Sequence, residues 1–478
     1  MHELLTLPAV ELARRTGARK ISPVEVVDAH IRRIEQVNPR LNALVVPTFE
    51  TAREEARRAE EAVARRSRDE LPPLFGVPFT VKELIAVEGL PHTAGVVARR
   101  GVVASADAPL VARLRAAGAI LLGLTNVSEA GLWLETYNMV YGRTNNARSR
   151  WRISGGSTGG EGAIIAAGGS PMGIGADIGG SIRNPSFFNG IAGHKPTGGL
   201  LPSTGHWPPA EGERGRHCVS GPMARTVDDL VAMMTAFSPD IDPHRDPDHG
   251  PFRPLGSIDR SKVTVYYFAS NGLARPSREM AQTIEQTARA LGEAGFRTEP
   301  WRPAGMRRAA EIWGAVVSDA GDQSVRELLG NGQPVDLVGE WLRKPLGRSN
   351  HPFTSLVMGT FERLARVTEQ RTTQLRRMAV ELRARIESRL GDRGVLMCPP
   401  YPRTAPLHWT PVLSPLAFSY CGVFNAMHMP STAVPTGLGR SGLALGVQIA
   451  AKRFNDPLCL EVARAVEQAF GGFLLATP

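Results

Sequence analysis

The stretch SGGSTGGEGAIIAAGGSPMGIGADIGGSIRNP, residues 154–185, runs as glycine loop, helix, strand and glycine loop in close succession. Two serines sit in glycine nests, Ser157 in GGSTGG and Ser181 in GGSIR, 24 positions apart. Between them, Thr158 to Ala167 can form a helix, and PMGIGAD reads as a short strand. Outward from this stretch the same alternation continues. Upstream, FGVPFTV reads as a strand, APLVARLRAAGA as a helix and AILLGL as a buried strand. Such alternation of helices and buried strands predicts an α/β fold with a largely buried sheet.

The flanks fill in the rest. Ser22-Pro23-Val24-Glu25 is a capping box with Pro at the first helical position. Val24, Val27, Ile31 and Ile34 then line one face, and Asn38-Pro39 is the expected stop. A charged helix is expected over 49–67. Strand character returns at KVTVYYFA (262–269), after a Pro/Asp/His-rich connection around 239–256. Residues 276–390, with Trp301, Trp313 and Trp341, read as a helical elaboration that shapes a distal pocket. LALGVQIA returns to the sheet and LCLEVARAVEQAF supplies a last helix.

Composition is that of a soluble globular protein, with 42% hydrophobic and 21% charged residues. No membrane span or secretory leader is expected. Cys218, Cys398, Cys421 and Cys459 lack zinc-type or disulfide-type spacing and fit reduced thiols in a cytoplasmic protein. The net charge of +10 comes from basic residues interleaved with acidic ones, as in TAREEARRAEEAVARRSRDE. That pattern is a solvated helix face, and no nucleic-acid motif accompanies it.

Familiar glycine motifs fail one by one. A P-loop needs Lys after its last glycine, but Glu161 and Ser181 stand there. The dinucleotide fingerprint would need glycine at Ile178. G-x-S-x-G does match at Gly155 to Gly159, with His194, His206, His217, His408 and His428 as possible partners. That elbow should follow an apolar strand, and RSRWRIS is a poor one. No HExxH is present, His244 and His249 sit in a polar loop, and no metal site is expected. Both nests could also be plain structural turns.

One lysine sharpens the choice. Only six of the 56 basic residues are lysine, and Lys82 follows the apolar run LFGVPFTV. A buried lysine can lose its proton, whereas arginine cannot. Serine needs an adjacent base to become a nucleophile. Burial can lower a lysine by ~3–5 units, enough to make Lys82 a base near neutral pH. Ser157 would pass a proton between Lys82 and Ser181, and the backbone N–H groups of Ile178, Gly179, Gly180 and Ser181 could hold an oxyanion.

Together GVPFTVKE, GGSTGGEGA, YGRTNN and GADIGGSIRNPSFFNGIAGHKPT resemble the amidase signature hydrolases, most closely the fatty-acid-amide-hydrolase type. The Lys82–Ser157 and Ser157–Ser181 spacings are similar to that family's. The resemblance implies a central mixed β-sheet flanked by α-helices in one domain over 1–478. Within it, 1–70 holds N-terminal helices, 71–275 the catalytic core, 276–390 the helical elaboration and 391–478 the return to the core.

It also implies Ser181 as nucleophile, Ser157 as bridging serine after a cis peptide, Lys82 as base, and the oxyanion hole at Ile178 to Ser181. Gly131 and Ser157 fall at substrate-binding positions. Thr158 departs from a serine common in relatives but keeps the hydroxyl. Asp177 and Arg183 are expected to form a structural ion pair, and Lys195 to pack or hydrogen-bond.

The expected activity is amide hydrolysis without a cofactor, with esters and carbamates chemically open. The expected partner is a small-molecule amide, ester or carbamate. No nucleic acid and no stable membrane anchor are expected, and a homodimer is compatible with the resemblance. The competing readings are the amidase subunit of a glutamyl-tRNA(Gln) amidotransferase and a non-catalytic binding protein on the same fold.

Overall fold

The apolar runs at 78–82, 120–125 and 172–177 become neighbouring strands at the heart of a mixed sheet in the computed structural model. The structure describes residues 3–210, 212–240, 250–319, 323–362 and 368–478. His244 and His249 lie outside the described residues. The strands are β1 (Leu44–Pro47), β2 (Pro78–Lys82), β3 (Ile120–Thr125), β4 (Met172–Asp177), β5 (Ala192–Lys195) and β6 (Val219–Ala224). They continue with β7 (Thr264–Tyr267), β8 (Arg297–Pro300), β9 (Gly394–Cys398), β10 (Ser431–Leu438) and β11 (Ala444–Ala451). Their order across the sheet is β1-β3-β2-β4-β6-β5-β10-β11-β9-β7-β8.

The α/β expectation holds, with parallel pairs at β3-β2-β4 and β9-β7-β8 and antiparallel pairs between them. Strand β3 shows why the central runs are apolar throughout. Leu121 and Leu124 enter the core on one face, while Ile120 and Leu122 enter the core on the other. Both faces are covered by helices, so period-two alternation of apolar with polar residues has no place there.

The capping box at Ser22 forms as read, with Ser22 Oγ accepting from Val24 N and Glu25 N. Its helix, Pro23–Leu41, runs through Pro39 rather than stopping before it. Proline in the last turn removes a single N–H, and the actual end is Asn42 in a left-handed conformation (φ 50). The charged helix spans Phe49–Arg65. Within 276–390 the helical reading holds for Arg278–Glu293, Ala309–Asp319 and Glu369–Leu390, but β8 also lies there. β8 is an edge strand with polar, exposed residues, so its sequence carries little strand signal.

RSRWRIS does form a strand, Ser149–Ile153, but it pairs with Asn145–Asn146 outside the central sheet and exposes Trp151. Ser157 therefore does not follow a sheet strand. Ser181 does, lying between β4 and the helix Arg183–Asn189.

Helix Gly159–Ala166 is buried at every position, and its Glu161 reaches onto the sheet. Thr80 donates to Glu161 Oε2 at 2.6 Å and Thr125 to Oε1 at 3.0 Å. Gly173 on β4 is what makes room, since a Cβ there would come within 2.1 Å of Glu161 Oε2. No helix among the described residues is long and apolar enough to cross a membrane.

Candidate functional site

Because β2 runs parallel to β3 and β4, Lys82, Thr125 and Asp177 all end their strands at one edge of the sheet. That carboxyl-end edge is where open α/β sheets place ligands. A cavity of about 60 Å³ opens there, lined by Lys82, Ser157 and Ser181.

Lys82 is 1% exposed, and its Nζ donates to Ser157 Oγ at 2.7 Å. Burial pushes the Lys82 amine down to about 7, against the pull of Cys218, Asp177 and Glu161. Burial likewise pushes the Glu161 carboxyl up to about 8. The Gly156–Ser157 peptide is cis. Thr158 donates its hydroxyl to Ala176 O at 3.1 Å, at the end of β4, so the threonine hydroxyl is used for local structure. Ser181 faces the same cavity, and among the described residues its hydroxyl makes no hydrogen bond. Gly131 (φ 71) also lines the cavity, and a Cβ there would lie 3.6 Å from Ser157 Oγ.

The loop at 178–181 is held from beneath. Asp177 accepts from Gly180 N at 2.7 Å and from Ile182 N at 3.1 Å. Gly180 sits at φ 116, where a side chain would be strained. Its N–H is thus committed to Asp177, which narrows the free donors of this loop to Ile178, Gly179 and Ser181. Asp177 and Arg183 are fully buried and pair at 3.0 Å. Arg183 also donates to Cys421 O, Gln448 Oε1 and Asn425 Oδ1. Burial alone would raise Asp177, but Arg183 holds it well below the usual carboxylate range. This is a structural brace under the loop.

Lys195 is fully buried on β5 and donates to Pro196 O at 2.8 Å. Among the described residues it does not line the cavity.

Sequence reasoning missed two parts of the site. The first is Trp313, which donates its indole N–H to Ile178 O at 2.6 Å and packs its ring where a Gly179 Cβ would stand, 3.2 Å away. The second is the outer wall. Among the described residues it comes from 206–218, through His206, Trp207, Pro208, Arg214 and Cys218. The stretch TGHWPPAEGERGRHC has no periodicity, so no sequence signal marks it as a wall.

Of the histidines the elbow reading would need, His206 lines the cavity, but its Nε2 lies 2.6 Å from Ser220 Oγ, and burial lowers it to about 3. His217 and His428 stack edge to face at 4.3 Å beside Glu213. Burial lowers both, with Lys195 and nearby arginines adding to the effect, and Arg216 pairs with Glu213 at 3.4 Å. The same cationic surroundings oppose a bound dication.

The sequence model of the amidase family, described simply as Amidase, matches residues 25–460. The chain belongs to the amidase family. It is 37% identical over 98% of its length to fatty-acid amide hydrolase 2-A of Danio rerio, covering 90% of that protein. It is 30% identical to an acylamidase of Rhodococcus erythropolis, covering 96% of this chain and 95% of that one. Among solved structures, 6-aminohexanoate cyclic dimer hydrolase complexed with substrate aligns with a TM-score of 0.79 at 25% identity, over 98% and 97% of the two chains. This amidase-family chain is therefore a serine hydrolase of non-peptide carbon–nitrogen bonds.

Proposed function

We propose that this amidase hydrolyses small acyl amides through an acyl-Ser181 intermediate, with Ser157 as proton relay and Lys82 as base. The observation that carries the reading is the buried 2.7 Å contact between Lys82 Nζ and Ser157 Oγ, on the cavity that Ser181 also faces. An amine brought down to about 7 by burial is matched to general-base work near neutral pH.

In the proposed cycle Ser181 Oγ attacks the amide carbonyl while its proton passes to Ser157, and the Ser157 proton passes to Lys82. Catalytic hydrogen bonds are often longer before substrate binds, so the open Ser157–Ser181 link is compatible with this relay. The N–H groups of Ile178, Gly179 and Ser181 stabilise the tetrahedral oxyanion. On collapse the C–N bond breaks and the amine leaves with the proton returned through Ser157. Water then attacks the acyl ester by the same route and releases the acid. Lys82, Ser157, Ser181, the loop N–H groups and one water supply every group the cycle requires, so it is written without a cofactor.

The names of the relatives, fatty-acid amide hydrolase and acylamidase, support an acyl amide as substrate. Esters and carbamates present the same electrophilic carbon and are open to the same attack.

The test is labelling with a fluorophosphonate and mapping of the modified peptide. One adduct on Ser181, lost in Lys82→Ala, is expected. An adduct on Ser157, or none, would overturn the assignment. Hydrolysis of a simple anilide by the isolated chain separates a stand-alone hydrolase from an amidotransferase subunit.

A further inference from the structure

The cavity wall carries one charge that the proposed cycle does not use. Arg214 lines the same cavity as Ser157 and Ser181, and among the described residues its guanidinium makes no hydrogen bond or ion pair. The nearest acid in sequence, Glu213, is taken by Arg216 at 3.4 Å. Among the described residues the only carboxylate lining the cavity, Asp177, is already bound to Arg183 at 3.0 Å. The lining of the cavity also includes the apolar Leu84, Leu132, Trp207 and Pro208. An uncompensated guanidinium in such a cavity favours an anionic partner, and its planar fork fits a carboxylate with two parallel hydrogen bonds.

We propose that Arg214 is a specificity residue that selects small amides bearing a carboxylate. The inference rests on the amide-hydrolase reading of this site and names its substrate class. The cavity encloses about 60 Å³, which suits a compact acid better than a bulky one. Lys82 does not compete for the carboxylate, because its amine is engaged with Ser157 at the inner end of the cavity.

Two pairs of anilides test this by kcat/KM. Succinanilic acid against butyranilide places the charge on the acyl side. 4-Acetamidobenzoate against acetanilide places it on the amine side. Hydrogen bonds to charged groups predict a preference of roughly 10- to 100-fold for the acid in at least one pair. In R214Q that preference should collapse to within about threefold, and R214K, which keeps the charge without the fork, should fall between. Thermal unfolding of each variant shows that it is folded.

The proposal is overturned if neither acid is preferred by the wild type, or if the preference survives in R214Q. Those results leave the amide-hydrolase reading standing, since the neutral anilides are still cleaved. If the wild type cleaves none of the four and Ser181 takes no fluorophosphonate, the amide-hydrolase reading itself has failed, and the role of Arg214 falls with it.

Discussion

Replacing Trp313 by Phe tests whether the proposed oxyanion loop at 178–181 is held in place by the indole. Trp313 Nε1 donates to Ile178 O at 2.6 Å, across 135 residues of sequence. The Ile178 carbonyl and the Gly179 N–H belong to one planar peptide and point in opposite directions. Fixing the carbonyl on Trp313 therefore fixes the direction of the Gly179 N–H. Phenylalanine keeps most of the ring contact with Phe418, 4.6 Å away, but cannot donate.

A hydrogen bond of this kind contributes about 0.5–1.5 kcal/mol. If that contribution is expressed in the transition state, kcat falls about 2- to 12-fold at ~1.4 kcal/mol per decade. Complete misdirection of the Gly179 N–H would set the upper limit, the ~100- to 1,000-fold loss seen when an oxyanion donor is removed. The assay is steady-state hydrolysis of an anilide, with kcat and KM determined separately. Affinity for a trifluoromethyl ketone, which forms a tetrahedral adduct, should fall by the same factor as kcat/KM, with KM within twofold of wild type. An unchanged kcat, or a loss seen only in KM, would refute the reasoning.

Other expectations follow from the same geometry. With Lys82 brought down to about 7, kcat/KM should rise with pH through a single apparent pKa near 7, because the neutral amine is the active form; a flat profile from pH 6 to 8 would remove Lys82 as the base. Asp177→Asn leaves Arg183 charged and fully buried without its counter-ion, and should cost about 3–5 kcal/mol in denaturant unfolding. Glu161 is raised to about 8 in the fold, so the native state holds a proton that the unfolded chain releases above pH ~4.3. Stability from that carboxyl is present at acid pH and lost as pH rises through about 8, so Glu161→Gln should flatten the decline of the wild-type melting temperature between pH 5 and 8.

The inner site was legible because its chemistry is local. Lys82 ends an apolar strand, and Ser157 and Ser181 stand in glycine loops on either side of a helix and a strand. The strands β2, β3 and β4 announce themselves as apolar runs because both faces of the sheet are covered. Strand β10 gave no comparable signal, since Pro435 and Gly437 interrupt it where its register shifts against β11. The wall at 206–218 and the Trp313 donor depend on contacts between segments remote in sequence. A polar, proline-bearing stretch and a tryptophan in a helix look the same whether or not they meet the loop of a candidate site. The commitment of the Gly180 N–H to Asp177 was hidden for the same reason, because a glycine nest does not show which of its donors will be occupied.

The seat of Glu161 above Gly173 has a consequence for how this sequence can drift. A methyl group at 173 cannot coexist with the Glu161 carboxyl, whose Oε2 would lie 2.1 Å away. Glu161→Ala empties that space and leaves Thr80 and Thr125 without their acceptor, whereas Gly173→Ala alone drives the carboxylate off both hydroxyls. The two substitutions together relieve the clash, so the double variant should be more stable than the sum of the single losses. Positions 161 and 173 are therefore expected to change as a couple: a lineage that abandons the acid would be freed at the glycine, and one that fills the glycine first would already have forfeited the acid.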